Sequence, residues 1–118
     1  MKAMDSSAWF EYFFASSKGD KIRALIETGE ELLTPCIVVG EIKRKLLGEG
    51  KEFEKLIEFI SAKSKIIDVN KEIALRAAEL KKLHFVDALI YASALENNSQ
   101  LITCDSHFKG LDKVLFIE

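Results

Sequence analysis

Short apolar segments alternate with longer amphipathic segments along the chain, and this alternation restricts the possible folds more than any other feature. The short segments are predicted to be strands, over residues 1–4, 32–33, 66–69, 101–103 and 114–117. Strands separated by helices favour a parallel sheet with helices on both faces. In such sheets, ligands bind beyond the C-terminal ends of the strands, where the strand order reverses.

The segments between the strands have the periodicity and the capping residues of helices. Residues that can cap a helix precede four of them: Ser6 with Ser7, Asp20, Thr34 and Asn70. Pro35 then occupies a first helical position, where its missing N–H is not needed. The predicted helices cover residues 8–15, 20–28, 35–48, 51–62, a segment after Asn70, and 85–96, with a break over residues 16–19.

Length and charge exclude several classes of protein. A chain of 118 residues is expected to form one domain, over residues 1–118. Seventeen basic against nineteen acidic residues leave a net charge of −2, which excludes nucleic-acid binding by bulk basic charge but not by a local patch. No apolar run reaches the roughly 18 residues of a membrane span. The absence of a signal peptide and of paired cysteine motifs predicts a cytoplasmic protein.

Four carboxylates stand in unusually apolar surroundings. Asp5 and Asp105 directly follow predicted strands, so a parallel sheet brings both to its C-terminal edge. Asp87 is the only charged residue between positions 83 and 95, and Glu41 follows an uncharged run. A buried carboxylate needs a proton, a cationic partner or a metal. Carboxylates from several segments that share one pocket favour Mg²⁺ or Mn²⁺, which prefer oxygen ligands.

Each of these acids also has a simpler interpretation. Asp5 and Asp105 are equally compatible with capping the turns that follow their strands. Asp87 lies in the first turn of its helix, where a carboxylate favours the positive end of the dipole. Glu41 lies too far along its helix to cap it, but could point to solvent. The metal site is favoured by the four acids together rather than by any one of them.

At these residues the sequence resembles a PIN domain, and more narrowly a toxin of the VapC type. Four motifs occur in the family's order and span nearly the whole chain: MDSSAWFEYF at residues 4–13, PCIVVGEI at 35–42, DALIYASA at 87–94 and LITCDSHF at 101–108. Each motif alone is weak, whereas the ordered set is fairly specific.

The resemblance implies a three-layer α/β/α fold with a five-stranded parallel sheet in the order 3-2-1-4-5. It also implies a metal-dependent endoribonuclease, a hydrolase in which metal-activated water cleaves RNA phosphodiester bonds. Asp5, Glu41, Asp87 and Asp105 would be the catalytic acids around Mg²⁺ or Mn²⁺. Ser7 and Thr103 match hydroxyl positions that support this cluster, although each is equally compatible with a plain cap or strand residue.

The sequence departs from the family pattern at two places. Position 107 is often acidic in the family and is histidine here, so a fifth carboxylate is missing. His107 could contact phosphate, or could simply be a solvated loop residue. The connection over residues 81–84 is also short, which predicts either an abrupt bend between two helices or the loss of a loop.

Two further clusters suggest contacts with substrate and partners. Lys43, Arg44 and Lys45 follow Glu41 and could hold an RNA backbone, or could form a solvated helix face. The first helix has aromatic residues on all of its faces. One core-facing stripe of a helix cannot bury all of them. The resemblance implies two partners for that surface: a VapB-like antitoxin, whose tail would place an Arg among the carboxylates, and a second copy of the chain in a homodimer.

Other functions remain open at this point. A PIN nuclease that processes stable RNA would share the fold and the acids, although such proteins usually have additional domains. A catalytically idle PIN-like module would bind RNA or protein without need of all four acids. A phosphate-receiving or phosphatase domain would need a lysine late in the chain after a strand, and neither Lys109 nor Lys113 stands convincingly there.

Overall fold

A five-stranded parallel sheet forms the centre of the molecule. The computed structural model describes residues 1–118. The strands are β1 Lys2–Met4, β2 Leu32–Pro35, β3 Lys65–Ile67, β4 Gln100–Thr103 and β5 Val114–Phe116. Their spatial order is β3-β2-β1-β4-β5, and every pairing is parallel. The predicted fold class and strand order are therefore confirmed. This order also differs from the 2-1-3-4-5 order of receiver-type sheets.

Six helices surround this sheet, and most lie where the sequence predicts them. They are α1 Ser6–Phe13, α2 Ser17–Ile26, α3 Cys36–Gly48, α4 Glu54–Lys63, α5 Lys71–Glu79 and α6 Phe85–Glu96. The cap predicted for α5 is confirmed, because the Asn70 side chain accepts a hydrogen bond from the Ile73 backbone N–H at 2.9 Å. No helix is both long and apolar enough to span a membrane.

All three predicted N-terminal caps in the first half of the chain are wrong, beginning with those of α1 and α2. The cap of α1 is Asp5, not Ser6 or Ser7, because its carboxylate accepts from the Ala8 N–H. Helix α2 begins at Ser17 with Ser16 as its cap, so residues 17–19 of the expected break are helical. Tertiary packing overrides the turn-like composition there: a Cβ on Gly19 would lie 2.2 Å from the Glu11 carbonyl oxygen, so only glycine permits this approach of α2 to α1.

The entry into α3 also differs from the prediction. Pro35 is the last residue of β2 and the cap position of α3, rather than the first residue of the helix. Thr34 does not cap the helix, because its hydroxyl is used elsewhere. It accepts a hydrogen bond from the Trp9 indole N–H at 3.1 Å and lies 2.7 Å from the Ser64 hydroxyl. This buried polar chain ties α1 to β2 and to the start of β3.

The later boundaries shift by a few residues. Helix α4 begins at Glu54 rather than residue 51, and the Glu52 carboxylate accepts from the Lys55 N–H at that turn. Strand β3 ends at Ile67, two residues earlier than predicted. The short connection before α6 is an abrupt bend: α5 ends at Glu79, α6 begins at Phe85, and the two helices pack around an apolar cluster of Ile73, Ala77, Ala88, Leu89 and Ala92.

The aromatic residues of α1 divide between core and surface, as the sequence predicts. Trp9 and Tyr12 are buried and pack edge-on against one another with ring centroids 5.9 Å apart. Phe59 of α4 stacks on Tyr12 from the other side. Phe13 and Phe14, by contrast, remain 41% and 57% exposed. The helix therefore anchors one face in the core and presents two phenylalanines to its surroundings.

Candidate active site at the carboxyl edge of the sheet

The central strands β1 and β4 bring two of the predicted acids to one edge of the sheet. These strands are neighbours in parallel register, with Met4 opposite Ile102. Asp5 follows the end of β1, and Asp105 lies two residues beyond the end of β4. This is where the strand order reverses, so the expected ligand position of an open parallel sheet coincides with the two aspartates.

Asp5 is held rigidly by three hydrogen bonds. It is only 2% exposed. Its Oδ1 accepts from the Ser7 hydroxyl at 2.7 Å and from the Ala8 N–H at 2.9 Å, while Oδ2 accepts from the Thr103 hydroxyl at 2.5 Å. A carboxylate offers about four acceptor positions. The three hydrogen bonds therefore use three of these positions, and one acceptor position of the Asp5 carboxylate remains for a ligand.

Ser7 and Thr103 connect Asp5 to the loop after β4. The Ser7 hydroxyl accepts from the Cys104 backbone N–H at 2.9 Å, and the Thr103 hydroxyl accepts from the Asp105 N–H at 2.9 Å. Each hydroxyl thus donates to Asp5 and accepts from a backbone N–H of the loop after β4. These hydrogen bonds connect the Asp5 carboxylate to the backbone at Cys104 and Asp105. Cys104 takes part through its backbone, a contact that no side-chain pattern could reveal.

Glu41 and Asp87 reach the same region from helices α3 and α6. The pKa of Glu41 is raised by burial first and then by the charges of Asp87, Asp5 and Asp105. One of its oxygens, Oε1, is buried without any hydrogen-bond partner. A buried acceptor without a partner is costly in a native protein and calls for an explanation. An ion near Oε1 would supply the missing partner.

Burial and mutual repulsion together disfavour the charged forms of Asp5, Glu41 and Asp87. Burial is the largest cause of the raised pKa of Asp5, and the charge of Asp105 adds to it. The pKa of Asp87 is raised by burial and then by the charge of Asp105. None of Asp5, Glu41 and Asp87 forms an ion pair. The four acids therefore share a site that lacks a neutralising lysine or arginine.

Asp105 has a partner that its neighbours lack. Its Oδ1 accepts from the His107 backbone N–H at 2.9 Å and lies 2.8 Å from the His107 Nδ1. One donor atom from each of Asp87, Asp105 and His107 lies within 4.8 Å of the others. His84, the only other histidine, stands just before α6, with its ring centroid 6.3 Å from that of His107. Because His84 lies only three residues before Asp87, the sequence could have indicated that it lies near the candidate site.

A divalent cation fits this donor set. The site combines carboxylate oxygens with one unpartnered buried oxygen, and no lysine or arginine pairs with its acids. Three of its carboxyl groups have raised pKa values. A bound cation would reverse the electrostatic cost of their ionisation. Asp87 and Asp105 have oxygens close enough together to hold it, whereas Asp5 and Glu41 lie outside that group of donor atoms and interact with its acids through their charges.

The predicted basic cluster lies beside the site rather than within it. Lys43, Arg44 and Lys45 are all exposed on α3. Lys43 Nζ lies 5.1 Å from the centroid of the Phe53 ring, and Lys45 Nζ lies 4.7 Å from that of Phe10. Neither lysine pairs with a carboxylate, so their charges are available to a ligand on the molecular surface.

Three solved structures have a closely similar fold. A toxin–antitoxin complex from Klebsiella pneumoniae aligns over 98% of this chain and 96% of the matched chain, with 22% identity and a TM-score of 0.80. VapBC2 from Rickettsia felis, bound to a promoter DNA fragment, aligns over 99% and 98%, with 15% identity and a TM-score of 0.77. VapC20 from Mycobacterium tuberculosis, a toxin that cleaves the sarcin–ricin loop, aligns over 95% of both chains, with 16% identity and a TM-score of 0.69.

The family match rests on sequence as well as on fold. No curated protein sequence matches the chain significantly. The PIN domain family, however, matches residues 2–114, which include all four acids and both supporting hydroxyls. The strand order and the position of the acids at the topological reversal agree with the fold that the motifs predict. The chain is a member of the PIN domain family.

Proposed function

We propose that the chain is a cytoplasmic endoribonuclease that depends on Mg²⁺ or Mn²⁺ and acts as the toxin of a toxin–antitoxin pair. The observation that most supports this proposal is the convergence of four carboxylates from separate segments without a lysine or arginine partner. Such an arrangement destabilises the protein unless a cation or protons neutralise it. Its retention in a folded chain therefore indicates a function that requires it.

Each acid has a distinct part in the proposed site. Asp5 is the rigid ligand, because Ser7, Thr103 and the Ala8 N–H orient its carboxylate. Glu41 offers the unpartnered Oε1 from helix α3. Asp87 and Asp105 offer adjacent oxygens nearer to solvent. When bound, a divalent cation lowers the pKa of water and neutralises charge that develops on a phosphate.

RNA is the proposed substrate, and its backbone is proposed to lie along α3. Lys43 and Arg44 extend from the helix turn that follows Glu41, and both are exposed. Contacts of this kind position a phosphate backbone without reading its sequence. Cleavage of the sarcin–ricin loop by the similar Mycobacterium tuberculosis toxin supports RNA as the class of substrate. Single-stranded or looped RNA suits an open site, because its backbone can be splayed.

Cleavage of RNA by wild-type protein and by Asp5→Asn tests the proposal. The variant keeps the size of the side chain but removes the charge, so cleavage is expected to fall on the order of a thousandfold. Glu30→Gln is the matched control, because Glu30 lies in an exposed ion pair at the other edge of the sheet. All three proteins are assayed with MnCl₂, with MgCl₂ and with EDTA.

The outcomes of this assay separate the alternatives. Equal cleavage by wild type and Asp5→Asn would indicate contamination and would contradict the nuclease proposal. Binding of RNA without cleavage by any metal-loaded protein would favour an idle PIN-like module. Cleavage confined to ribosomal or transfer RNA precursors, without toxicity on expression, would favour a PIN nuclease for stable-RNA processing.

The proposed antitoxin binds the surface that Phe13 and Phe14 expose. Their rings pack edge-on, 5.4 Å apart, and together they present apolar area that the chain itself leaves open. Two of the similar structures are toxin–antitoxin or VapBC assemblies, which supports a protein partner of this class. An arginine from that partner could neutralise the acids in place of a cation, and so inhibit the enzyme.

Co-expression with the protein encoded in the adjacent reading frame tests the partner proposal. A stable complex that blocks RNA cleavage is expected, and Phe14→Ala is expected to weaken it while leaving the cleavage by free protein unchanged. Light scattering of the free chain separately tests the expected homodimer. Absence of both a complex and inhibition with the wild-type chain would contradict the antitoxin proposal.

A further inference from the structure

Three lysines gather around Glu118, at the β5 side of the sheet. Lys21 of α2 donates from Nζ to the backbone oxygen of Glu118 at 3.2 Å, and Lys109 donates from Nζ to Glu118 Oε1 at 2.9 Å. The hydrogen bond from Lys109 is the main cause of the lowered pKa of Glu118, and the charges of Lys21 and Lys18 add to it. Glu118 is the only acidic side chain that pairs with any of these lysines, so the second basic cluster, Lys18, Lys21 and Lys109, keeps an excess of positive charge.

The second basic cluster begins beside the candidate active site. Burial raises the pKa of the Cys104 thiol to about 11, the charge of Asp5 adds to this rise, and the charge of Lys18 opposes it. Lys18 therefore acts on the residue that directly precedes Asp105. Lys109 lies in the same loop, four residues beyond Asp105. The cluster is thus continuous with the loop that carries one of the four acids.

The sheet places this cluster and the basic residues of α3 on opposite sides of the acids. Strands β1 and β4, which lead to Asp5 and Asp105, are neighbours, with β2 beyond β1 and β5 beyond β4. Helix α3, which carries Lys43 and Arg44, follows β2, whereas Glu118 follows β5. An endonuclease cuts within a chain, so the RNA backbone continues on both sides of the scissile phosphate. The basic residues of α3 lie on only one of these sides.

We propose that Lys18, Lys21 and Lys109 form a second contact surface for the RNA backbone, and that Glu118 occupies this surface in the free protein. Lysine side chains bind phosphate oxygens without reading the base sequence. Both members of the Lys109–Glu118 pair are exposed, and such a pair stabilises a protein only slightly. A phosphate can therefore replace the Glu118 carboxylate at small cost. This inference rests on the proposed nuclease function and adds the path of the substrate across the molecule.

Fluorescence anisotropy with a labelled oligouridine, in EDTA and over a range of KCl concentrations, tests this surface without cleavage of the RNA. Lys21→Gln/Lys109→Gln is expected to bind on the order of tenfold more weakly near 0.1 M salt, and the slope of log affinity against log salt should fall by about 1.4, since about 0.7 is lost with each phosphate contact. Glu118→Gln is expected to bind about threefold more tightly, because the competing carboxylate is neutralised. All three side chains are exposed, so the fold is retained.

Lys65→Gln/Lys113→Gln is the matched control, because it removes the same charge from exposed lysines at the N-terminal edge, at the start of β3 and just before β5. Its affinity and salt dependence are expected to stay close to those of the wild type. Equal losses in the two double variants, or no loss in Lys21→Gln/Lys109→Gln, would overturn the second contact surface and leave the nuclease proposal standing.

A protein partner is the other occupant that the experiment can reveal. Unchanged RNA affinity in Lys21→Gln/Lys109→Gln, together with weaker binding of the protein encoded in the adjacent reading frame, would assign the lysines to that partner and overturn their contact with RNA. If the wild type neither bound oligouridine nor cleaved RNA, the second contact surface and the nuclease proposal would both be overturned.

Discussion

Carboxyl groups at the two edges of the sheet have pKa values that are shifted in opposite directions. At the N-terminal edge, Glu30 is exposed and pairs with Lys2 and with the N-terminal amine of Met1. The hydrogen bond from Lys2 is the main cause of its lowered pKa. At the C-terminal edge, Asp5 and Glu41 have raised pKa values, burial being the main cause. The same chemical group is thus stabilised in its charged form at one edge and destabilised at the other.

This difference distinguishes a structural charge from a functional one. Glu30 resembles Glu118, whose pKa is lowered by its hydrogen bond from Lys109 at the surface. Such exposed pairs stabilise a protein only slightly and need no ligand. Asp5, Glu41 and Asp87 at the C-terminal edge have raised pKa values and so oppose folding when ionised, which indicates a binding function for them. A divalent cation should therefore bind at the C-terminal edge of the sheet and not at the N-terminal edge.

The largest expected effect is stabilisation by the cation. At 100 times its dissociation constant, Mn²⁺ should raise the free energy of unfolding by about 2.7 kcal/mol, because only the folded state assembles the site. Asp87→Asn should lose most of this gain, whereas Glu30→Gln should keep all of it. Thermal unfolding with and without MnCl₂ measures both. Equal gains in the two variants would show that Mn²⁺ binds elsewhere.

The second largest expected effect is the pH dependence of Mn²⁺ affinity. Cation binding requires ionised carboxylates, and the pKa values of Asp5, Glu41 and Asp87 lie above the ordinary values of 3.8 for Asp and 4.5 for Glu. As the pH falls through the raised pKa values, Mn²⁺ affinity should decline by up to about tenfold per pH unit for each proton displaced. Glu30 should stay ionised below 4.5, because its pKa is lowered.

Calorimetric titration with MnCl₂ at several pH values, and carbon NMR of the two glutamate carboxyls, measure this contrast. Glu41 should take up its proton at a higher pH than Glu30 in the metal-free protein. The reverse order of titration would contradict the electrostatic difference between the two edges.

The smallest expected effect is on the free energy of unfolding of the metal-free protein. Because the folded pKa of Glu41 is raised, its ionisation destabilises the fold as the pH rises above the ordinary value. Glu41→Gln should therefore raise the free energy of unfolding at pH 7 by about 1 kcal/mol, a value reduced by partial solvent screening. The gain should vanish near pH 4. Glu30→Gln should give a slight loss instead, and urea unfolding in EDTA distinguishes the two.

The sequence predicts the architecture well because its pattern is locally consistent. The strand positions and the α6 boundaries follow from apolar runs and from caps, and the strand order follows from the family motifs. The failures occur where tertiary contacts decide. Residues 16–19 have the composition of a turn, yet they form the start of α2 because Gly19 permits close packing on α1. Thr34 has the chemistry of a cap, yet its hydroxyl bonds to Trp9 and Ser64.

The sequence indicates which acids are candidates for the site, but not how they are connected in the folded chain. Acids in apolar segments are visible in the sequence, and their convergence follows from a parallel sheet. The sequence cannot reveal that Glu41 Oε1 lacks a partner, since this depends on several elements packing together. Nor can it reveal that Lys43 and Lys45 lie over aromatic rings, or that the His107 ring bonds to Asp105.

Anomalous diffraction from crystals grown with MnCl₂ tests the proposed cation site most directly. A manganese peak is expected at the C-terminal edge of the sheet, coordinated by oxygens of Asp5, Glu41, Asp87 or Asp105, and lost in Asp5→Asn crystals. A peak only beside exposed acids such as Glu30, or no peak at a saturating concentration of MnCl₂, would contradict that expectation.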